Sequence, residues 1–258
     1  MTNTALLKDF SSNEVRGIAV DLDQNGFVCL DNVVDPQWLD KARRQVDASL
    51  DGRGFGVFTV LHPGKIANSA TQELATNPII AKLMKGLADY SSPGTNGGDN
   101  DLYTVLRVVG GGSEEIVVPL FHYDSSTITV LVPIYIPEGE QGHCGDLVVF
   151  PNKRQHRRFV FSNIFENFIV QSKIYNRRVF DKLMSGEKRE IKKLQPGNIY
   201  LFWGYRSYHG NFGCASEALR ATLLLHFGNP HGNSKVLNLV RAFRIWRIKR
   251  VAQKANLS

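Results

Sequence analysis

With 258 residues, 43% of them hydrophobic and 21% charged, the chain has the length and composition of one folded domain with a sizeable core. Its longest apolar run, residues 127–136, is far too short to span a bilayer. The opening MTNTALLKDFSS lacks the basic-then-apolar order of a secretory signal, so a cytoplasmic protein is expected.

Three scattered cysteines, Cys29, Cys144 and Cys214, form neither a disulfide framework nor a C-x-x-C zinc pattern and read as free thiols. The net charge of +7 is concentrated in residues 153–158, 177–193 and 235–254. Such clusters can draw an anionic substrate or an acidic partner, although solvated surface is their commoner meaning.

Two helices are legible in the first hundred residues. Asp35-Pro36 joins an N-cap residue to a first-turn proline, and Trp38, Leu39, Ala42 and Val46 follow at helical spacing. Asn77-Pro78 repeats the device before Ile79, Ile80, Leu83, Met84 and Leu87. From Leu102 onward the pattern turns to short β-type runs: LYTVLRVV, TITVLVPIY, DLVVF, RRFVF, NIYLFW and LRATLLLHF. Gly110-Gly111-Gly112, residues 137–145 and Gln195-Pro196-Gly197 punctuate them. The triple glycine lacks the Lys-Ser/Thr and the following helix of a phosphate-binding loop.

Residues 162–193 read as a basic insertion in the strand series, and residues 234–256 as an amphipathic helix. On that helix Val236, Leu239, Val240, Phe243 and Trp246 share one face. Contact with a membrane surface is open to such a helix, but packing on its own domain with the cations in water is the expected arrangement. The predicted architecture is a single domain, mainly β with flanking α, of the sandwich or barrel kind such as a jelly roll. A helical section covers about residues 1–100, the β core 101–229, and the terminal helix 234–256.

Three features bear on chemistry. His122 and Asp124, in FHYDSS, share strand parity, so their side chains leave one face while Tyr123 points away. His209 follows the run NIYLFW and its turn, in SYHGNFG. Arg220 opens the apolar run LRATLLLHF, where a cation is costly unless it meets an anion. Two histidines and one carboxylate on a β scaffold form a facial triad, which leaves three adjacent positions open on a divalent metal and typifies non-haem Fe(II) oxygenases. Arg220 supplies a fixed cation able to pair bidentately with a carboxylate, and Thr222 has the parity to add a hydroxyl.

This set of residues resembles the Fe(II)- and 2-oxoglutarate-dependent dioxygenases, and within them is most similar to the phytanoyl-CoA dioxygenase-like branch. The likeness runs from about Asn25 to Asn229 and includes NGFVCLDNVVDPQWLDKAR, GDLVVFP, LQPGNIYLFWGYRSYHG and LRATLLLHFGNP. It implies a double-stranded β-helix (jelly-roll, cupin-like) core in which His122, Asp124 and His209 hold Fe(II). It also implies that Arg220 binds the distal carboxylate of 2-oxoglutarate, and that O2 is the second cosubstrate. The implied outcome is hydroxylation of a C–H bond, with succinate and CO2 released.

Thr129 and Tyr103 are further candidates for 2-oxoglutarate, and Arg107 and His226 for the substrate, expected to be a small and, from the basic clusters, anionic molecule. His62, His143, His156 and His231 lack partners of matching type and spacing and are read as non-ligands. A nucleic-acid partner is not expected, because the second arginine usual in repair-type relatives is replaced by His226 and no base-stacking module is present. Where relatives commonly carry Pro-Gly-Ser-His after the GDLVVF run, this chain has Pro151-Asn152-Lys153-Arg154-Gln155-His156. On the residues alone two other readings stay open: a cupin-like metalloenzyme that does not use 2-oxoglutarate, and a non-catalytic ligand-binding β-helix protein.

Overall fold

The computed structural model describes residues 6–51, 56–91, 102–110, 121–140, 144–154, 190–214 and 218–228. The predicted strand RRFVF, the terminal helix over 234–256, most of the basic insertion, and His143, His156 and His231 lie outside these residues.

Among the described residues, four α-helices precede the main strands. Helix α1 (Ser12–Asn25) is set by a capping box: the Ser11 side chain accepts from the Glu14 N–H, and the Glu14 carboxylate accepts from the Ser11 N–H at 2.8 Å. It ends at Gly26, whose φ of 71° is left-handed and whose N–H donates to the Leu22 carbonyl at 2.8 Å. A Cβ at Gly26 would lie 2.2 Å from that of Pro151, so glycine is required there twice over.

Helix α2 (Pro36–Asp51) starts as predicted, with Asp35 Oδ1 accepting from the N–H groups of Gln37 and Trp38 at 2.8 and 3.1 Å. Helix α3 (Ala70–Ala75) is short. Helix α4 (Pro78–Ser91) is capped by Asn77, whose Oδ1 accepts from the Ile79 N–H at 2.8 Å.

Among the described residues, nine strands build two antiparallel sheets. The larger has the order β1 (Phe27–Leu30), β7 (Ile199–Phe202), β4 (Ile128–Tyr135), β9 (Arg220–Phe227), β3 (Tyr103–Val109), β2 (Val57–Leu61). The smaller has the order β6 (Glu190–Lys192), β5 (Leu147–Phe150), β8 (Tyr208–Asn211). The section expected to be helical therefore also contributes two edge strands, and the far end of the expected insertion is a sheet strand, not loop.

Alternation along the strands divides the core in two. Leu106, Val108, Val130, Val132, Leu201, Leu223 and Leu225 leave one face of the large sheet and pack against the four helices. Leu131, Tyr200 and Phe202 leave the other face and meet Leu147 and Val149 of the small sheet. Arg220, Thr222, Leu224 and His226 share the parity of this inner face, as do Arg107 and Tyr103 across from them on β3. The result is a mainly β, jelly-roll fold with helices on one side and an interior lined by both sheets.

Candidate metal centre

His122 and His209 are directly opposed across a β-bridge, each N–H donating to the other's carbonyl at 2.9 and 3.0 Å. Opposed residues project to one face, and the two imidazole centroids lie 4.5 Å apart. Asp124 follows two residues after His122 and is anchored by its N–H on the Gly204 carbonyl at 2.9 Å. Its Oδ1 lies 3.4 Å from His122 Nε2 and its Oδ2 lies 3.5 Å from His209 Nε2. One ligand atom from each of the three residues falls within 4.8 Å of the others. Donors held at about 2.1 Å on adjacent positions of an octahedral ion sit about 3 Å apart, so this spacing fits one small divalent cation.

The surrounding groups put His209 and Asp124 in ligating form. His209 Nδ1 lies 3.0 Å from the Ser207 carbonyl and donates its hydrogen there, which leaves the Nε2 lone pair facing Asp124. Burial pushes the His209 pKa down to about 4, so the ring is neutral at neutral pH. Burial opposes ionisation of Asp124, but the imidazoles of His209, His226 and His122 outweigh it and hold the carboxyl well below the usual carboxylate range.

Thr129 of β4 donates to Asp124 Oδ2 at 2.5 Å. His226 Nδ1 stands 3.1 Å from the same hydroxyl, 3.3 Å from Ser126 Oγ and 3.6 Å from Asp124 Oδ2. With the Thr129 hydrogen on Asp124, Thr129 Oγ1 is left to accept from His226 Nδ1–H. The approach depends on Gly204, where a Cβ would lie 2.4 Å from Thr129 Oγ1 and 2.9 Å from Asp124 Cβ.

The second half of the site is cationic. Arg220 is 2% exposed. Its Nε donates to the Gly145 carbonyl at 3.0 Å, and Nη1 reaches Thr222 Oγ1 at 3.5 Å. Its Nη2 is buried with no hydrogen-bond partner among the described residues. Burial, reinforced by the charge of Arg107, brings the Arg220 pKa down to about 10, while Cys214 and Asp146 act in the opposite sense, so the guanidinium remains a cation at neutral pH. Arg107 stands directly across from Thr222 in the β3–β9 register, and burial lowers its pKa too. A buried guanidinium nitrogen left without an acceptor is a site for an anion.

The residues singled out from sequence fall into two groups. His122, Asp124, His209, Thr129 and His226 converge at one end of the inner face, and Tyr103 joins them, paired with His226 at a ring distance of 5.8 Å. Arg220, Thr222 and Arg107 gather at the other end of β9. Thr129, expected on the cosubstrate, holds the aspartate here, and His226, expected on the substrate, backs Thr129. Tyr123 points away from the centre, its ring 5.1 Å from that of Tyr208 and 3.9 Å from the Arg154 guanidinium. His62 packs edge-on against Tyr103 at 4.8 Å and is no part of the ligand set.

Sequence reasoning did not single out Gly204, the carbonyls of Ser207 and Gly145, or buried Asp146. Backbone acceptors leave no mark in residue identity.

No protein-family model matches the chain, and no curated protein matches it in sequence. Solved structures do share its fold. EctD from S. alaskensis is similar over 91% of this chain and 87% of its own, with a TM-score of 0.59 and 13% identity. The epimerase SnoN, solved in complex with Fe3+, alpha-ketoglutarate and nogalamycin RO, is similar over 84% and 85%, with a TM-score of 0.58 and 15% identity. A prolyl-4-hydroxylase from Pseudomonas putida is similar over 88% and 99%, with a TM-score of 0.50 and 15% identity.

Proposed function

We propose that the protein is an Fe(II)- and 2-oxoglutarate-dependent oxygenase that hydroxylates a C–H bond of a small anionic molecule and releases succinate and CO2. The observation that carries this reading is the buried, unpartnered Nη2 of Arg220 on the same inner face as a His–Asp–His ligand set. The iron and alpha-ketoglutarate held by the structurally similar SnoN agree with it. The motif likeness supports a finer placement in the phytanoyl-CoA dioxygenase-like branch.

His122, Asp124 and His209 would hold the metal, and a three-residue facial set leaves adjacent positions for cosubstrate and dioxygen. Iron and 2-oxoglutarate together supply the oxidising power that no amino-acid side chain has. The chain's own part is to bind, orient and shield. Arg220, steadied by the Gly145 carbonyl and Thr222, offers Nη2 to the distal carboxylate of 2-oxoglutarate. Asp124 would occupy the coordination position that a halogenating relative leaves for chloride, which makes hydroxylation the default outcome. Phe202, its ring 4.6 Å from that of His209, gives the centre an apolar neighbour continuous with the cluster of Leu131, Tyr200 and Leu224. Arg107, beside Thr222, gives a second cation for an acidic group on the substrate.

A metalloenzyme without 2-oxoglutarate leaves Arg220 Nη2 with no function, and a non-catalytic binding protein leaves the convergence of His122, Asp124 and His209 with none. The test is an anaerobic titration with Fe(II) and then 2-oxoglutarate. A metal-to-ligand charge-transfer band is expected, and its absence in folded protein would remove the proposal.

A further inference from the structure

Cys144 and Cys214, far apart in sequence, face each other across an isolated antiparallel bridge at the end of the small sheet. The bridge continues the β5–β8 register beyond Leu147↔Asn211, and on its inner side the Gly145 N–H donates to the Gly213 carbonyl at 3.2 Å. That flanking bond makes Cys144 and Cys214 a non-hydrogen-bonded pair, the kind whose Cα atoms approach to about 4.5 Å. A disulfide spans Cα separations of about 4.4–6.8 Å. Both residues are thiols here: Cys144 is buried, with Sγ donating to the Glu140 carbonyl at 3.3 Å, and Cys214 is partly exposed. We propose that Cys144 and Cys214 are a dithiol–disulfide couple, a modification site at the edge of the pocket that holds Arg220.

Gly145 connects the couple to the pocket. Its carbonyl accepts from Arg220 Nε at 3.0 Å, and a Cβ on it would meet Cys214 Sγ at 2.7 Å and Arg220 Cδ at 2.3 Å. The sulfur of Cys214 and the stem of Arg220 therefore pack on the same glycine. Closing the disulfide turns the Cys144 sulfur from Glu140 toward Cys214 and draws on the peptide between them, which carries the acceptor that orients Arg220.

Burial pushes the Cys214 thiol up, with the Arg220 charge acting against it. With hydrogen peroxide as oxidant, one thiolate takes an oxygen and becomes a sulfenic acid as the O–O bond breaks and a first water leaves. The second sulfur attacks the first, the S–S bond forms, the S–O bond breaks, and a second water leaves. Two thiols and one peroxide give one disulfide and two waters.

The experiment uses the full chain, reduced and then exposed to hydrogen peroxide without denaturant. Remaining thiols are alkylated, and the digest is mapped by mass spectrometry without reduction. A peptide pair joined through Cys144 and Cys214 and lighter by two hydrogens is expected, with Cys29 alkylated, and dithiothreitol should reverse it. Separate alkylation of Cys144 and Cys214, or their oxidation to unlinked sulfinic acids, would overturn the proposal.

A second arm rests on the oxygenase reading. Manganese-loaded protein should bind 2-oxoglutarate about tenfold more weakly when oxidised, the loss expected for one misdirected charge-assisted hydrogen bond. Equal affinity in the two states would overturn the link to Arg220. If neither state binds 2-oxoglutarate, the oxygenase reading fails, while the mapped bond still decides the couple.

Discussion

The hydroxyl of Thr129 donates to Asp124 Oδ2 at 2.5 Å, and His226 stands 3.1 Å behind it. The carboxylate is thus aimed by a strand of the large sheet, although Asp124 itself lies outside any strand. Second-layer partners of this kind commonly contribute ten- to a hundredfold to metal affinity. Thr129→Val keeps the shape and removes the donor, so Co(II) affinity measured by calorimetry should fall about tenfold. Thr129→Ser, which keeps the donor, should restore most of it. Undiminished affinity in a folded Thr129→Val protein would remove the positioning role.

Gly204 is where the chain gives the aspartate and the threonine room to meet. A methyl group there would enter the space of both, at 2.4 Å from Thr129 Oγ1 and 2.9 Å from Asp124 Cβ. Gly204→Ala should cost about 2 kcal/mol in urea unfolding, in the range for overpacked sites, and should weaken metal binding as well. Gly213→Ala is the control, since a Cβ there meets nothing within 4 Å.

The pH dependence of the metal-free protein follows from His209. Its pKa is about 4 in the folded chain against the ordinary imidazole value of 6.5. Between these values the unfolded chain takes up a proton that the native ring refuses, so stability rises with pH across the window. The contribution is complete above 6.5 and is lost as pH falls toward 4, with an upper size of about 3 kcal/mol. The depressed pKa of Asp124 acts in the same direction but at lower pH, its contribution being lost only as pH falls below the ordinary carboxylate range, so it does not govern this window. Urea midpoints of metal-free protein should drop between about pH 7 and pH 5, and His209→Gln should flatten the slope.

The candidate ligand set, which the fold brings together, was legible in the sequence because its chemistry is carried by residue type and parity. His122 and Asp124 declare a shared face, and Arg220 is conspicuous in an apolar strand. The same strand logic placed β3, β4, β5, β7 and β9, and the Asp-Pro and Asn-Pro starts placed α2 and α4. Helix α1 was missed although Ser11 and Glu14 stand at capping-box spacing, because its apolar positions are diluted by charge. Strands β1 and β2 are not legible because they are short runs inside a section whose strong signals are helical, and β6 and β8 because EIK and YHGN carry no strand pattern and are defined by their partners. Register was illegible in the same way. Nothing local says that Cys144 meets Cys214 or that Arg107 meets Thr222, since both pairings follow from how whole strands align.

Arg220 offers the sharpest division between the two halves of the site. It opens β9, whereas His226, which stands 3.6 Å from Asp124 Oδ2, is six positions further on, so the guanidinium and the candidate metal ligands lie toward opposite ends of that strand. Arg220→Gln keeps a polar side chain near the Gly145 carbonyl but removes the cation and the bidentate fork. Removing one partner of a buried charge pair typically costs 2 to 5 kcal/mol, so 2-oxoglutarate affinity of the manganese-loaded protein should fall about a hundredfold or more. Manganese affinity itself should stay within about twofold. Arg220→Lys should fall between, because it keeps the charge but not the fork that suits a carboxylate. If Arg220→Gln loses metal and cosubstrate together in folded protein, Arg220 supports the architecture of the site. If it loses the cosubstrate alone, the buried Nη2 is the group that recognises it.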